Sequence, residues 1–218
     1  MSALSAICVE PESPARYCII CLHGLGAGAE DLLPLAKQLK LNQHAAVRFI
    51  FPSAPERSVT ANAGYFMPAW YDILAFSPQR QINLQHLNEV SAQVSQLVEQ
   101  QMAQGIASEN IVLMGFSQGG AVAYHCALNT TKPLGGLVCM STYLLPQSLP
   151  KQPWQLNTPI LIQHGQQDDV VAPSLGQQAA EQLKALGYHP EFESFAMAHT
   201  ISLSQIKALS LWLNQHLS

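Results

Sequence analysis

One serine in the sequence has the surroundings that a nucleophile of acyl transfer requires. Ser117 lies in the run Gly115-Phe-Ser-Gln-Gly119, directly after an apolar segment and directly before a helical pattern. Strand, sharp turn and helix in this order form a nucleophile elbow, where glycines let neighbouring backbones approach closely. The string Gly-x-Ser-x-Gly also occurs by chance. The prediction of an elbow therefore rests on its position between a strand and a helix.

Such a serine needs a histidine as general base, and the histidine needs a carboxylate that fixes its tautomer. In the fold that uses a nucleophile elbow, the carboxylate follows the serine in the chain and the histidine comes last. Asp168 and Asp169 follow the strand pattern Pro159 to Gln163, and His199 follows the weaker strand pattern Glu191 to Phe195. Loops after strands are where open α/β sheets place their sites. The sequence therefore predicts an acid at position 168 or 169 and a base at His199.

Two backbone N–H groups are needed to stabilise the negative charge that develops on a substrate oxygen. One comes from the residue after the nucleophile, here Gln118, and the other comes from an early loop. That loop is His23-Gly-Leu-Gly26, at the end of the first strand pattern. The Leu25 N–H is the predicted second donor.

The elements that must hold these residues are short apolar runs that alternate with helical patterns. Nearly continuous apolar runs are typical of buried strands, and their alternation with helices predicts a mostly parallel central sheet with helices on both faces. The predicted strands are Tyr17 to Leu22, Val47 to Phe51, Asn110 to Met114, Leu134 to Met140, Pro159 to Gln163 and Glu191 to Phe195. The predicted helices are Glu30 to Leu39, Leu84 to Met102, Gln118 to Leu128, Leu175 to Leu186 and Ile201 to Leu217. No repeat divides the chain, so residues 1–218 are expected to form a single α/β domain.

Composition excludes several classes of protein. The chain is 48% hydrophobic and 11% charged with a net charge of −4, so disorder is excluded, and without a basic cluster a nucleic-acid partner is not expected. The N-terminus lacks a signal-peptide pattern, and no apolar run reaches the roughly 18 residues of a membrane span. The cysteines at 18, 21, 126 and 139 lie in apolar segments. Reduced, buried thiols are typical of a cytoplasmic protein.

Two other patterns suggest cofactors but lack what those cofactors require. Gly24-x-Gly26-x-x-Ala29 matches a dinucleotide fingerprint, yet the following strand ends without the acidic residue that would bind the ribose. Cys18 and Cys21 resemble a redox or metal pair, but three residues apart on a strand they face opposite sides of the sheet. Neither a metal nor an organic cofactor is therefore expected.

Five separated motifs together resemble one family of hydrolases. They are Leu22-His-Gly-Leu-Gly26, Phe51-Pro-Ser-Ala-Pro55 with Arg57, Met67-Pro-Ala-Trp-Tyr-Asp72, Gly115-Phe-Ser-Gln-Gly-Gly120, and His164-Gly-x-x-Asp168 followed by His199. In this order they resemble the carboxylesterase and acyl-protein thioesterase family of α/β-hydrolases, over nearly the whole chain.

The resemblance implies a serine hydrolase that cleaves carboxylic esters, and thioesters by the same acyl-enzyme. It implies Ser117, Asp168 and His199 as the catalytic triad, with the Leu25 and Gln118 amides as the oxyanion hole. The family usually has proline after the acid, where this chain has Asp169. Which carboxylate faces His199 therefore stays open, although the spacing from His164-Gly165 favours Asp168.

The substrate site is expected to be open. Only about twenty residues separate the strand patterns that end at Met140 and begin at Pro159, too few for a helical cap domain. Met67, Trp70 and Tyr71 follow a strand on the site side, and Leu144 and Leu145 could edge a groove, so these five are the predicted substrate-binding residues. An open groove admits bulky substrates such as acylated proteins and lysophospholipids, and predicts broad specificity for short and medium acyl chains.

A different class of function is also compatible with the sequence. A protein of the same fold that had lost catalysis could act as a binding module. The presence of serine, acid and histidine favours an enzyme. The sequence does not predict an oligomeric state.

Overall fold

Parallel strands form the centre of the protein in the computed structural model, which describes residues 3–76 and 80–217. The strands are β1 (Ala6–Val9), β2 (Tyr17–Leu22), β3 (Val47–Pro52), β4 (Glu56–Val59), β5 (Tyr65–Pro68), β6 (Ile73–Ala75), β7 (Gln81–Ile82), β8 (Ile111–Phe116), β9 (Gly136–Met140), β10 (Ile160–Gly165) and β11 (Pro190–Phe195). The helices are α1 (Ala29–Leu32), α2 (Leu35–Gln38), α3 (Leu84–Ala103), α4 (Gln118–Asn129), α5 (Pro173–Ala185) and α6 (Leu203–His216).

The strand order of the main sheet creates a crevice at its centre. The order is β1-β3-β2-β8-β9-β10-β11, and every neighbouring pair is parallel except β1 with β3. The chain adds β3 on one side of β2 and later adds β8 on the other side, so the winding reverses between β2 and β8. Ligands of open α/β sheets bind outside the carboxyl ends of strands at such a reversal. Leu22 pairs with Gly115 there, which brings the ends of the two strands together.

Helices cover both faces of the sheet, as the alternation of strands and helices predicts. Apolar residues of α3, α4 and α5 pack on one face, and apolar residues of α1, α2 and α6 pack on the other. Cys18 belongs to the first cluster and Cys21 to the second. The prediction that these two thiols face opposite sides is therefore confirmed.

The structure departs from the predicted elements near the edges of the sheet. The segment predicted as one helix, Glu30 to Leu39, consists of α1 and α2, which are separated at Pro34 because proline lacks the N–H that a continuous helix needs. The edge strand β1 and the two-stranded ribbons β4–β5 and β6–β7 were not predicted. These strands are short, with two to four residues each, and largely exposed, so they lack the apolar runs that identify buried strands.

The stretch between β9 and β10 contains no cap domain. Residues 141–159 form loop structure with one short 3₁₀ turn at Pro146–Ser148. In the described part of the chain, no helix is both long and apolar enough to cross a membrane.

Candidate active site

Ser117 occupies a strained turn between β8 and α4. Its backbone has φ 53° and ψ −119°, a positive-φ conformation that is uncommon for residues other than glycine. Hydrogen bonds on both sides hold the turn: the Ser117 N–H donates to Met140 O at 2.9 Å, and Thr142 Oγ1 donates to Ser117 O at 2.6 Å. The end of β9 thus fixes the residue that the elbow presents.

The glycines around Ser117 are required by close backbone contacts. A Cβ atom on Gly115 would lie 2.3 Å from Gly119 O, and one on Gly119 would lie 2.2 Å from Leu22 O. Such distances lie inside van der Waals contact and involve main-chain atoms that cannot rotate away. The elbow can therefore approach β2 only with glycine at these positions.

We expect Gly119→Ala to destabilise the protein by about 3 kcal/mol or more, because its new methyl group would displace the end of β2. The midpoint and slope of urea unfolding measure this loss. Gly105→Ala is the matched control. Gly105 has φ +95° with no described heavy atom within 4 Å of an added Cβ, so only backbone strain of about 1 kcal/mol is expected. Equal losses in the two variants would contradict the steric argument.

His199 links the serine to a buried carboxylate. Its Nε2 lies 3.0 Å from Ser117 Oγ, and its Nδ1 lies 2.7 Å from Asp168 Oδ2. Since a carboxylate only accepts hydrogen bonds, Nδ1–H donates to Asp168 and the neutral ring leaves Nε2 free to accept from the serine hydroxyl. This is the arrangement that a general base and its orienting acid require.

Asp168, rather than Asp169, faces His199. Asp168 Oδ1 accepts the N–H groups of Val170 at 3.0 Å and Val171 at 2.8 Å, and its side chain is fully buried. Asp169 is exposed. His164 Nε2 lies 3.5 Å from Asp168 Oδ2 and donates to Val171 O at 2.9 Å, which braces the same loop.

The loop after β2 is held by His23, whose two ring nitrogens are both engaged. Nε2 accepts the Ala54 N–H at 3.0 Å, so Nδ1 carries the proton and donates to Gly24 O at 2.8 Å. Burial lowers the pKa of His23, against the hydrogen bond to Gly24, which raises it. Trp70 Nε1 donates to His23 O at 2.7 Å, and the Gly26 N–H donates to Pro68 O at 2.9 Å. The loop that carries Leu25 is thus fixed from three directions.

The Gln118 side chain has a positioning role that the sequence does not predict. Its Oε1 accepts the Trp70 N–H at 2.9 Å, and its Nε2 donates to Tyr71 O at 2.8 Å. Gln118 therefore joins the start of α4 to Trp70 and Tyr71. Trp70 in turn supports the loop after β2, residues 23–28, which we call the β2 loop. Its backbone N–H and that of Leu25 donate to no acceptor among the described residues. Both amides are available to a ligand beside Ser117.

A cavity of about 570 Å³ contains Ser117 and His199 in its wall. Its lining includes Leu25, Leu32, Ile73, Phe76, Arg80, Phe116, Tyr143, Val171 and Ile201. The predicted substrate-binding residues Met67, Trp70, Tyr71, Leu144 and Leu145 are absent from the described lining.

Burial explains the placement of three of these five side chains. Trp70 and Tyr71 are fully buried and Leu145 is buried, so they support the site from behind. The cavity lies between the loop after β2, the segment of α1 and α2, and residues that follow β6, β8, β9, β10 and β11. Among the described residues, no group of three or more His, Cys, Asp or Glu side chains is arranged to hold a metal ion.

The whole chain is similar to known esterases and thioesterases. The sequence profile of the phospholipase/carboxylesterase family matches residues 4–217. The chain is 33% identical to acyl-protein thioesterase 1 of Neurospora crassa, over 91% of this chain and 86% of that protein. It is 32% identical to carboxylesterase SOBER1 of Arabidopsis thaliana, over 93% of this chain and 92% of that protein. The crystal structure of SOBER1 superposes with a TM-score of 0.82 at 31% identity, covering 94% of this chain and 100% of that chain.

Proposed function

We propose, from the premise that the chain belongs to the phospholipase/carboxylesterase family of α/β-hydrolases, that Ser117, His199 and Asp168 form its catalytic triad. The chain is a hydrolase of carboxylic esters or thioesters, as its relatives are. The observation that carries the proposal is the bridge made by His199, with 3.0 Å to the serine oxygen and 2.7 Å to the carboxylate.

The reaction proceeds in two steps. Ser117 Oγ attacks the carbonyl carbon while His199 Nε2 takes its proton, and the same proton then passes to the leaving alcohol or thiol. The acyl group stays on Ser117 as an ester. Water then attacks that ester while His199 Nε2 takes its proton, and the proton passes to Ser117 Oγ as the acid is released. Asp168 stays ionised throughout and stabilises the protonated imidazole.

The negative charge of the tetrahedral intermediate would be held by the Leu25 and Gln118 amides. Both belong to rigid segments: the β2 loop is held through His23, and Gln118 is the first residue of α4. Preorganised N–H donors of this kind do not reorient during the reaction, which is why they lower the barrier. The free helix N-terminus also favours negative charge.

Acylated proteins and lysophospholipids are the proposed bulky substrates. The absence of a cap in the described chain between β9 and β10 supports access by a large leaving group, and the relative from Neurospora crassa is named acyl-protein thioesterase 1. We propose the cytoplasm as the compartment, because the five cysteines are free and four of them are buried. Burial raises the pKa of the Cys18 thiol to about 12, so it is unreactive at neutral pH.

The dependence of the rate on acyl-chain length tests whether the cavity is open to substrates of different size. We expect kcat/KM for p-nitrophenyl esters to rise gradually from two carbons towards medium chains, because a partly open cavity buries each added methylene only in part, for less than about 0.8 kcal/mol. A parallel thioester series measures the effect of the leaving group. A peak at one length, with more than tenfold loss per two carbons on either side, would indicate a closed pocket that measures length.

One reagent distinguishes an active serine hydrolase from a binding protein of the same fold that has lost catalysis. A fluorophosphonate reacts rapidly only with an activated serine. We expect one label per chain, and peptide mapping should place it on Ser117. An unlabelled protein that remains folded would support the binding module instead.

A further inference from the structure

A positively charged side chain lies in the wall of the cavity that contains Ser117. Arg80 lines this cavity together with Phe76 and Tyr143. The guanidinium carbon of Arg80 is 3.6 Å from the centre of the Tyr143 ring and 5.8 Å from the centre of the Phe76 ring. The shorter distance is that of a guanidinium stacked on an aromatic face. Arg80 is therefore held at the wall by its contact with Tyr143.

Arg80 has no carboxylate partner among residues 3–76 and 80–217. By contrast, Arg48 pairs with Glu10 at 2.9 Å, and Arg57 lies 3.9 Å from Glu89. The Nε atom of Arg80 is buried and has no hydrogen-bond acceptor in the same part of the chain. A buried charged donor is strongly stabilised when it gains an acceptor. The cavity therefore presents a cation whose charge the described residues do not neutralise.

Arg80 is connected to the nucleophile turn through Tyr143 and Thr142. Tyr143 directly follows Thr142, whose Oγ1 donates to Ser117 O at 2.6 Å. Tyr143 is also fixed from behind, since its hydroxyl lies 2.6 Å from the Tyr71 hydroxyl. Ser117, Tyr143 and Arg80 therefore line one cavity, and the loop after β9 holds both Tyr143 and the nucleophile turn.

Asp31, the other charged side chain of the described lining, forms no ion pair with Arg80. Asp31 lies in the α1 segment, and its Oδ2 accepts the Gly28 N–H at 2.7 Å. That carboxylate is engaged at the start of α1.

We propose that Arg80 is a specificity-determining residue that binds an anionic group of the ester or thioester, a carboxylate or phosphate carried beyond the reacting carbonyl. The planar guanidinium donates paired N–H groups to such anions. The cavity volume of about 570 Å³ accommodates both an acyl chain and this group. The proposal rests on the proposed function of Ser117 and adds a class of substrate to it.

Two substrate pairs distinguish the two positions that the anion can occupy. The first pair is p-nitrophenyl pentanoate and mono-p-nitrophenyl glutarate, which differ by a carboxylate at the end of the acyl chain. The second is monobutyryl glycerol and butyryl glycerol phosphate, which differ by a phosphate on the leaving group. For each substrate kcat/KM is measured with wild type, Arg80→Met and Arg80→Lys.

In at least one pair we expect Arg80→Met to lower kcat/KM for the anionic member by about ten- to a hundredfold, the range for a hydrogen-bonded charge. Its effect on the neutral member should stay within about twofold. Arg80→Lys should restore part of the preference, since it keeps the charge but not the planar fork. Arg16→Met is the matched control, because Arg16 also lies over a tyrosine ring, 5.8 Å from the centre of Tyr17, but is exposed and outside the described lining.

The outcomes separate this proposal from the one on which it rests. Equal losses for the anionic and neutral members would mean that Arg80 only supports the wall, and an unchanged preference would mean that it contacts neither anion. Either result, with active wild-type protein, overturns the role of Arg80 alone. Wild-type protein that hydrolyses no member of either pair overturns both proposals.

Discussion

Ser117→Ala is expected to lower kcat by about 10⁴ to 10⁶, which corresponds to about 5 to 8 kcal/mol of transition-state stabilisation. The variant has no oxygen to form the acyl-enzyme, while the cavity and the free amides of Leu25 and Gln118 remain. Alanine keeps a Cβ atom at φ 53°, so the strain of the turn is the same in both proteins. Hydrolysis of a p-nitrophenyl ester, followed to low rates with high enzyme concentration, measures the loss.

Ser95→Ala is the matched control for this substitution. Ser95 is exposed on α3, and its hydroxyl donates to Ser91 O within the helix. Its removal should leave kcat unchanged. Residual activity above a few per cent in folded Ser117→Ala protein would refute an acyl-enzyme at this serine.

The buried strands and the long helices could be predicted from the sequence because their signals are local. The predicted strand Tyr17 to Leu22 coincides with β2, and the predicted helix Leu84 to Met102 differs from α3 by one residue. The α/β-hydrolase fold is confirmed by the parallel sheet and by the structural neighbours. The predicted ends of the elements are less accurate where the chain leaves the core. Near Pro34, for example, the structure has two short helices in place of the one that was predicted.

The supporting contacts of the site could not be predicted, because they join residues distant in sequence. The bond from Gln118 to Tyr71 spans 47 positions, and Arg80 meets Tyr143 across 63 positions. Trp70 and Tyr71 illustrate the same limit. Their position in a motif beside the site indicates that they are near it, but only the packing shows that they face the core and not the cavity.

Asp168→Asn is expected to lower kcat by about 10⁴ without unfolding the protein. The Val170 and Val171 N–H groups both point at Oδ1, so the amide oxygen must take that position and the new NH₂ group must face His199 Nδ1. Two donors cannot share that contact. The imidazole therefore adopts the other tautomer, with its proton on Nε2, and can no longer accept the proton of Ser117.

Asp169→Asn provides the control at the neighbouring position. Asp169 carries the same charge but is exposed, so its loss should change kcat by less than about threefold. Comparing the two variants by kcat and by urea unfolding separates orientation of His199 from general stability.

If Asp169→Asn were the more damaging substitution, the orienting acid would lie one residue later than the buried carboxylate indicates. If Asp168→Asn lost activity only in proportion to the fraction of protein that is unfolded, the carboxylate would stabilise its loop and would not orient His199. Activity lost from a fully folded variant, with the control intact, is the result that the geometry of Ser117, His199 and Asp168 requires.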